Sequence, residues 1–279
     1  MTDSTDSTDS SGGKPLVVAS SYEGLRRFTA ARIALGRAGH SLPTAAHLAF
    51  QLDHARARDA VHLPFDSHGL AAAVQALGLT PLELHSAALD RNSYLQRPDL
   101  GRQLDASSRS RLQTWAQQSA PEQRFDLAFA VVDGLSARAV HENAVPLLGE
   151  VCVRLRTDAE LPWTLAPVAV VQQGRVAVGD EICQALHANA VLVLIGERPG
   201  LSSPDSMGLY LTWQPHAATT DAQRNCISNV RAAGLPIAQA AHTLHLLLKR
   251  SRMLQLTGVG LKDESAGIDT ALARALQIP

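Results

Sequence analysis

Leu127-Ala128-Phe129-Ala130-Val131-Val132-Asp133-Gly134-Leu135-Ser136 is the stretch that decides the fold. Residues 127–132 form a short, continuous apolar run that stops at the turn signal Asp133-Gly134, so they read as a buried strand. Ser136 then caps a helix whose apolar stripe is Val140, Ala144, Leu148 and Val151, with Pro146 expected to kink or split it. The pattern continues downstream. Residues 167–171 read as a strand turning at Gln172-Gln173-Gly174, 178–188 as a helix, and 190–195 and 209–213 as further strands. Another helix is expected from Thr220, and 237–249 reads as the last, with Ile237, Ala240, Ala241, Leu244, Leu247 and Leu248 at helical spacing. Strands separated by helix-length segments predict an α/β fold with a mostly parallel sheet.

Upstream of Pro121 the character is helical. Leu25, Phe28 and Arg32 lead to Gly36 and Gly39, and Pro43 restarts the chain as a helix through Leu48 and Leu52. Further helical pieces are expected over 70–77 and, after the cap-like pair Thr80-Pro81, over 82–89. The repeated Thr-Asp-Ser of the N-terminus can bury nothing and is expected to be disordered. Three parts follow: a polar tail at 1–14, a helical N-terminal region at 15–120, and an α/β domain at 121–279.

Composition narrows the function. Lys+Arg 25 nearly cancels Asp+Glu 26, which argues against a basic nucleic-acid-binding surface. No stretch approaches the ~20 apolar residues of a membrane span. The acidic tail is neither a signal nor a transit peptide, so the chain reads as cytoplasmic. Cys152, Cys183 and Cys226 are too scattered for a disulfide framework or a metal knuckle, and no metal ligand set is expected. His242 and His245 lack a third ligand. With aromatic residues at only 4%, the core must be built from Ala, Leu and Val.

Ligands of α/β sheets bind beyond the carboxyl ends of the strands. Three segments fall there: Asp133-Gly134-Leu135-Ser136, the Pro- and Gly-rich loop 196–206, and 220–229. Taken residue by residue, Glu197 and Arg198 read as a solvated pair. Thr220 and Gln223 read as a capping box, and Cys226 as a small buried residue on a helical stripe with Ala222 and Val230. Phosphate-loop, dinucleotide and nucleophile-elbow signatures are absent. No catalytic residue is therefore assigned.

Several stretches together resemble the small subunit of ethanolamine ammonia-lyase. They are Ala31-Arg32-Ile33-Ala34-Leu35-Gly36-Arg37-Ala38-Gly39, Leu52-Asp53-His54-Ala55-Arg56-Ala57-Arg58-Asp59, Asp133-Gly134-Leu135-Ser136-Ala137, Gly174-Arg175-Val176-Ala177-Val178-Gly179-Asp180, the loop 195–206, and Arg224-Asn225-Cys226-Ile227-Ser228-Asn229. The resemblance implies a Rossmann-like C-terminal domain and a hetero-oligomer with a large TIM-barrel subunit that holds substrate. It implies a lyase that converts ethanolamine to acetaldehyde and ammonia by radical chemistry drawn from the cobalt–carbon bond of adenosylcobalamin. The small subunit would contact that cofactor through Val176, Glu197 and Cys226. The nearest string to the D-x-H-x-x-G motif of base-off cobalamin proteins has Ala71 in place of glycine, so base-on binding is expected. Members of the family occur in bacterial microcompartments, but this polar tail lacks the amphipathic character of a targeting helix. The contrasting expectation is a non-catalytic cobalamin carrier or scaffold, which would bind the cofactor without a partner.

Overall fold

The computed structural model describes residues 16–119, 122–158 and 161–262, so the tail expected at 1–14 lies outside the described residues. The chain divides into a unit of residues 1–55 and a unit of residues 56–279. In the first unit the helix expected around Leu25 is only a 3-10 turn, Glu23–Phe28. Beyond it the backbone is extended, with positive φ at Gly36 and Gly39, and an antiparallel bridge joins Val18 to Arg37. The helix expected after Pro43 is present as α1 (Thr44–His62). Asp53 on α1 pairs with Arg32.

The second unit is built on a six-stranded sheet in the order β1-β3-β2-β4-β5-β6. Its strands are β1 (Pro81–His85), β2 (Phe125–Val132), β3 (Val168–Gln172), β4 (Ala188–Gly196), β5 (Met207–Trp213) and β6 (Arg224–Val230). Strands β1, β3, β2 and β4 run parallel, and β5 and β6 are added antiparallel at one edge. The helices are α2 (Ser67–Ala76), α3 (Arg91–Gln96), α4 (Ala106–Ser119), α5 (Ala137–Thr157), α6 (Val178–Ala185) and α7 (Ile237–Leu254).

Strand β2 shows why its sequence is apolar throughout. Leu127, Phe129 and Val131 enter a core shared with Leu70 of α2, Val140 of α5 and Leu244 of α7. Ala128, Ala130 and Val132 enter a second core with Leu112 of α4 and Ile182 of α6. A strand covered on both faces has no polar alternation to show. Each fully buried Val, Leu or Phe contributes roughly 1.5–3 kcal/mol. Helix α5 starts where expected, with the Ser136 hydroxyl accepting the Ala139 N–H at 3.2 Å, and it runs unbroken past Pro146. Helix α6 lies so close to β4 that a Cβ at Gly179 would stand 2.4 Å from a Val193 methyl.

Two expected helices are corrected. The segment after Thr80 is strand β1. Leu84 packs into the α4/α6 core, whereas the Glu83 carboxylate accepts Ser67 Oγ at 2.9 Å and His68 Nδ1 at 2.8 Å on α2. That alternation has period two, and Pro81 sits where a strand start tolerates a missing donor. The outer edge of β1 is occupied by side chains and backbone from α4 and the turn before it. Arg111 donates to the Glu83 carbonyl at 2.5 Å, the His85 N–H donates to Ser108 Oγ at 2.8 Å, and the Asp105 N–H donates to the His85 carbonyl at 3.0 Å. The helix expected from Thr220 ends after a single 3-10 turn, Asp221–Gln223, and β6 follows at once. The Thr220/Gln223 capping box does form, but it closes one turn only, because Arg224, Ile227 and Val230 are drawn into the sheet. Among the described residues no helix is long and apolar enough to cross a membrane.

Candidate functional site

The carboxyl ends of β2, β3 and β4 meet at one edge of the sheet, and β6, antiparallel to β5, ends on the same side. Their close approach is enforced by backbone. A Cβ at Gly196 would lie 2.1 Å from the Ser136 carbonyl, and one at Gly134 would lie 2.3 Å from the Gly196 carbonyl. The following loop, which contains Glu197, is tied down at its far end. Ser136 Oγ donates to the Pro204 carbonyl at 2.8 Å, Asn143 donates to the Asp205 carbonyl at 3.0 Å, and Arg231 pairs with the Asp205 carboxylate at 3.0 Å. It is a fixed wall, as its prolines and glycines led us to expect.

Glu197 stands at the head of this wall, half-buried. The structure corrects its reading as half of a solvated pair with Arg198. Its carboxylate accepts Ser206 Oγ at 2.5 Å, Ser228 Oγ at 2.6 Å and the Asn229 N–H at 3.3 Å. Three donors leave a carboxylate with acceptor capacity to spare, so it is fixed in place and still able to take a further donor. Ser228 lies two residues along β6 from Cys226 and therefore on the same face. Cys226 is exposed, not the buried helical residue first expected, and it pairs in register with Tyr210 of β5. Partial burial of the thiol pushes its pKa up, opposed by the nearby Tyr210 hydroxyl and reinforced by the negative charge of Glu197. Burial, with Cys226 and Glu197 close by, likewise raises the Tyr210 pKa. Both groups are neutral at neutral pH, so Cys226 offers a small surface and not a thiolate nucleophile.

Val176 lies on the turn before α6, half-buried against the α4/α6 core. Glu197 and Cys226 are thus neighbours through Ser228 and Tyr210, whereas Val176 belongs to a different element. The two elements are joined by Arg224 of β6 and Asp180 of α6. Both guanidinium Nη atoms bond the carboxylate at 2.7 Å, and one also bonds Thr212 Oγ1 at 2.9 Å. Burial opposes the Arg224 charge, but Asp180 more than offsets it and holds the arginine above its usual pKa. Beside this pair lies a cleft of about 640 Å³, lined in part by Ala177, Asp180, Glu181, His216, Asp221 and Arg224.

Sequence reasoning did not single out Tyr210, Ser206 or Ser228. The serines fall inside loops that had been marked, but nothing in their spacing pairs them with Glu197. Tyr210 shows only as part of a strand. Asp133, inside the first marked loop, is buried and accepts the Gly174 N–H at 3.2 Å. Burial pushes its pKa up to about 6, against the opposing pull of Arg91 and nearby backbone N–H groups. Among the described residues no group of three or more His, Cys, Asp or Glu side chains is placed to hold a metal ion.

An anchored carboxylate at the end of β4 and an exposed thiol on β6 thus lie on a mostly parallel α/β sheet, with a half-buried apolar residue before α6. Comparison with known proteins goes further. Residues 19–262 match the family model of the ethanolamine ammonia-lyase light chain. The ethanolamine ammonia-lyase small subunit of Pseudomonas fluorescens strain Pf-5 is 58% identical over 241 residues, 86% of each chain. That of Ralstonia nicotianae is 54% identical over 263 residues, 94% of each chain, and one from Xanthomonas campestris is 54% identical over 252 residues, covering 88% of this chain and 90% of its own. The chain belongs to the ethanolamine ammonia-lyase light-chain family and is a subunit of a lyase.

Proposed function

We propose that this chain is the small subunit of an adenosylcobalamin-dependent ethanolamine ammonia-lyase, that it forms one wall of the cobalamin pocket in its Rossmann-like domain, and that a large TIM-barrel subunit holds the substrate. The observation that carries the reading is the anchored Glu197 at the end of β4, with its serine donors, and exposed Cys226 two residues along β6 from one of them. A corrin is a broad, largely apolar disc rimmed with amides, and these residues fit it. Val176 and the Tyr210 ring supply apolar surface, Glu197 accepts from an amide or hydroxyl, and Cys226 permits close approach. When bound, the cofactor would supply the radical chemistry that turns ethanolamine into acetaldehyde and ammonia. This chain's own residues bind and orient it and exclude water from one side.

The N-terminal region, 15–120, is assigned to the large-subunit interface. Among described residues 16–55 only Pro43 is buried, and Leu16, Tyr22, Phe28, Leu42, Leu48 and Leu52 are exposed. A segment with so little core of its own gains its order from what it lies against. Reversing Arg56 and Arg58 to Glu is expected to abolish assembly and leave the chain folded; retained assembly removes that face from the interface.

The test is an acetaldehyde assay with ethanolamine, adenosylcobalamin and the large subunit, with and without this chain. Activity only with both is expected. No activity from a folded, associated pair overturns the assignment. Cobalamin retention by this chain alone would favour a carrier instead.

A further inference from the structure

Between β1 and α4 the chain makes a detour through α3 and a 3-10 turn, Leu100–Arg102. At its centre is Tyr94, only 1% exposed and among the largest fully buried side chains described. Two guanidinium groups clamp its ring, Arg91 at 4.7 Å and Arg175 at 4.4 Å from the centroid. Arg91 also reaches the carbonyls of Val61 and Gly134, each at 2.7 Å, so it is anchored independently of the ring. Arg175 immediately precedes Val176. Its Nη2 donates to the Tyr94 carbonyl at 2.8 Å, and its backbone N–H donates to the Gly101 carbonyl at 2.7 Å. The neighbouring Gly174 N–H is taken by Asp133, and Gln173 before it holds a left-handed φ of 54°. The loop from Gln173 to Val176 is therefore gripped from outside the sheet by α3 and the turn that follows it.

We infer that Tyr94 and Arg175 are positioning residues: the α3 detour clasps the β3–α6 loop through them and sets the place of Val176 against the cofactor. The inference rests on the reading of Val176 as cofactor wall, and it adds the part that holds the wall still. A cation held against a ring face, with a charge-assisted hydrogen bond from the same side chain, is a directional restraint that a generic apolar contact does not supply. Lysine keeps the charge but loses the planar fork. Phenylalanine at 94 keeps both the ring and the backbone carbonyl that Arg175 uses.

The experiment uses the complex with the large subunit and four variants, Arg175→Ala, Arg175→Lys, Tyr94→Leu and Tyr94→Phe. Equilibrium binding of hydroxocobalamin and amide hydrogen exchange over residues 173–178 are measured, with kcat and KM for adenosylcobalamin alongside. Arg175→Ala is expected to weaken binding about tenfold, through loss of a stacking contact and a charge-assisted hydrogen bond, and Tyr94→Leu severalfold, through loss of the stacking contact alone. They should speed exchange of the Gly174 and Arg175 amides and leave kcat within about twofold, the loss appearing in KM. Tyr94→Phe should match the wild type, and Arg175→Lys should recover little. If Tyr94→Leu fails to fold, Arg175→Ala carries the test, since its side chain is only half-buried. Unchanged exchange would mean that Arg175 does not hold the loop. Faster exchange with unchanged binding would mean that loop order does not matter to the cofactor, and full rescue by lysine would point to a direct ionic contact. Each of these overturns the inference. Glu197→Ala and Val176→Asp serve as controls: if they too leave binding unchanged, the pocket assignment has failed, not the clasp.

Discussion

Replacing Arg224 with methionine tests whether the two halves of the candidate site are held together as the structure implies. The Arg224 side chain is 2% exposed and that of Asp180 is 12% exposed. Two bonds of 2.7 Å join them, and a third, of 2.9 Å, reaches Thr212. Removing one member of a buried pair strands the other, which typically costs about 3–5 kcal/mol. Asp180 lies in the first turn of α6, where the helix N-terminus returns roughly 0.3–1 kcal/mol to a negative charge. The expected cost of Arg224→Met is therefore near the lower end, about 3 kcal/mol. The Asp221 carboxylate lies 3.5 Å from Arg224 Nε but is fully exposed, so it offers little compensation to either charge. Neutralising both partners removes the stranded charge. Asp180→Asn with Arg224→Met is expected to cost roughly 1 kcal/mol, about 2 kcal/mol less than Arg224→Met alone. Urea unfolding of wild type, both single variants and the double variant, followed by circular dichroism, closes the cycle. A loss below about 1 kcal/mol for Arg224→Met, or a double variant no better than the single, would refute the reasoning.

Other perturbations follow from the same geometry. Asp133 is buried with its pKa pushed up to about 6, above its unfolded value, so the folded state holds the extra proton between those values. Stability relative to Asp133→Asn should fall by roughly 2–4 kcal/mol as pH rises from 4 to 7, and a pH-independent difference in urea midpoints rejects this. His141 accepts the Asp66 N–H through Nε2 at 3.0 Å and is stacked on Phe65, and burial lowers its pKa. Its stabilisation is complete above the unfolded pKa of about 6.5 and is lost as pH falls through the lowered folded value; His141→Gln should flatten that acid limb of the melting temperature. Gly196→Ala should cost more than about 3 kcal/mol, because the new Cβ meets fixed backbone at the Ser136 carbonyl; soluble, stable protein would contradict this. Glu197→Ala should weaken cobalamin retention in the complex more than it weakens folding, and unchanged affinity removes it from the pocket.

Where side-chain pattern and backbone pairing coincide, the sequence was readable. Strands β2 to β5 and helices α1, α5, α6 and α7 fall close to their expected places, because continuous apolar runs and helical stripes are local signals. The first strand was not readable. Its five residues, Pro81–His85, open on the second member of the cap-like pair Thr80-Pro81 and carry two leucines that suit either period, and only pairing with β3 decides between them. The sixth strand failed for a related reason. Thr220 and Gln223 do form the local motif their spacing announces, but local capping says nothing of how far a helix continues. Of the candidate site, the three loops were visible from turn chemistry and strand ends. The bonds from Ser206 and Ser228 to Glu197, and the clamp on Tyr94, join residues 9, 31 and 81 positions apart. Such pairings leave no periodic trace.

The occupied edge of β1 has a consequence for how this subunit meets others. Bare strand edges are templates on which foreign or identical chains can extend a sheet. Here Pro81 lacks a donor, the Glu83 carbonyl is taken by Arg111, and the His85 N–H and carbonyl are taken by Ser108 and Asp105. With most of its outward backbone taken, this side is a poor template for growth. A copy synthesised ahead of its partner is shielded there from fibrillar self-association while it waits to assemble. Recognition at this border must come from side chains, whose identity can be selective, and not from backbone, which any chain can supply.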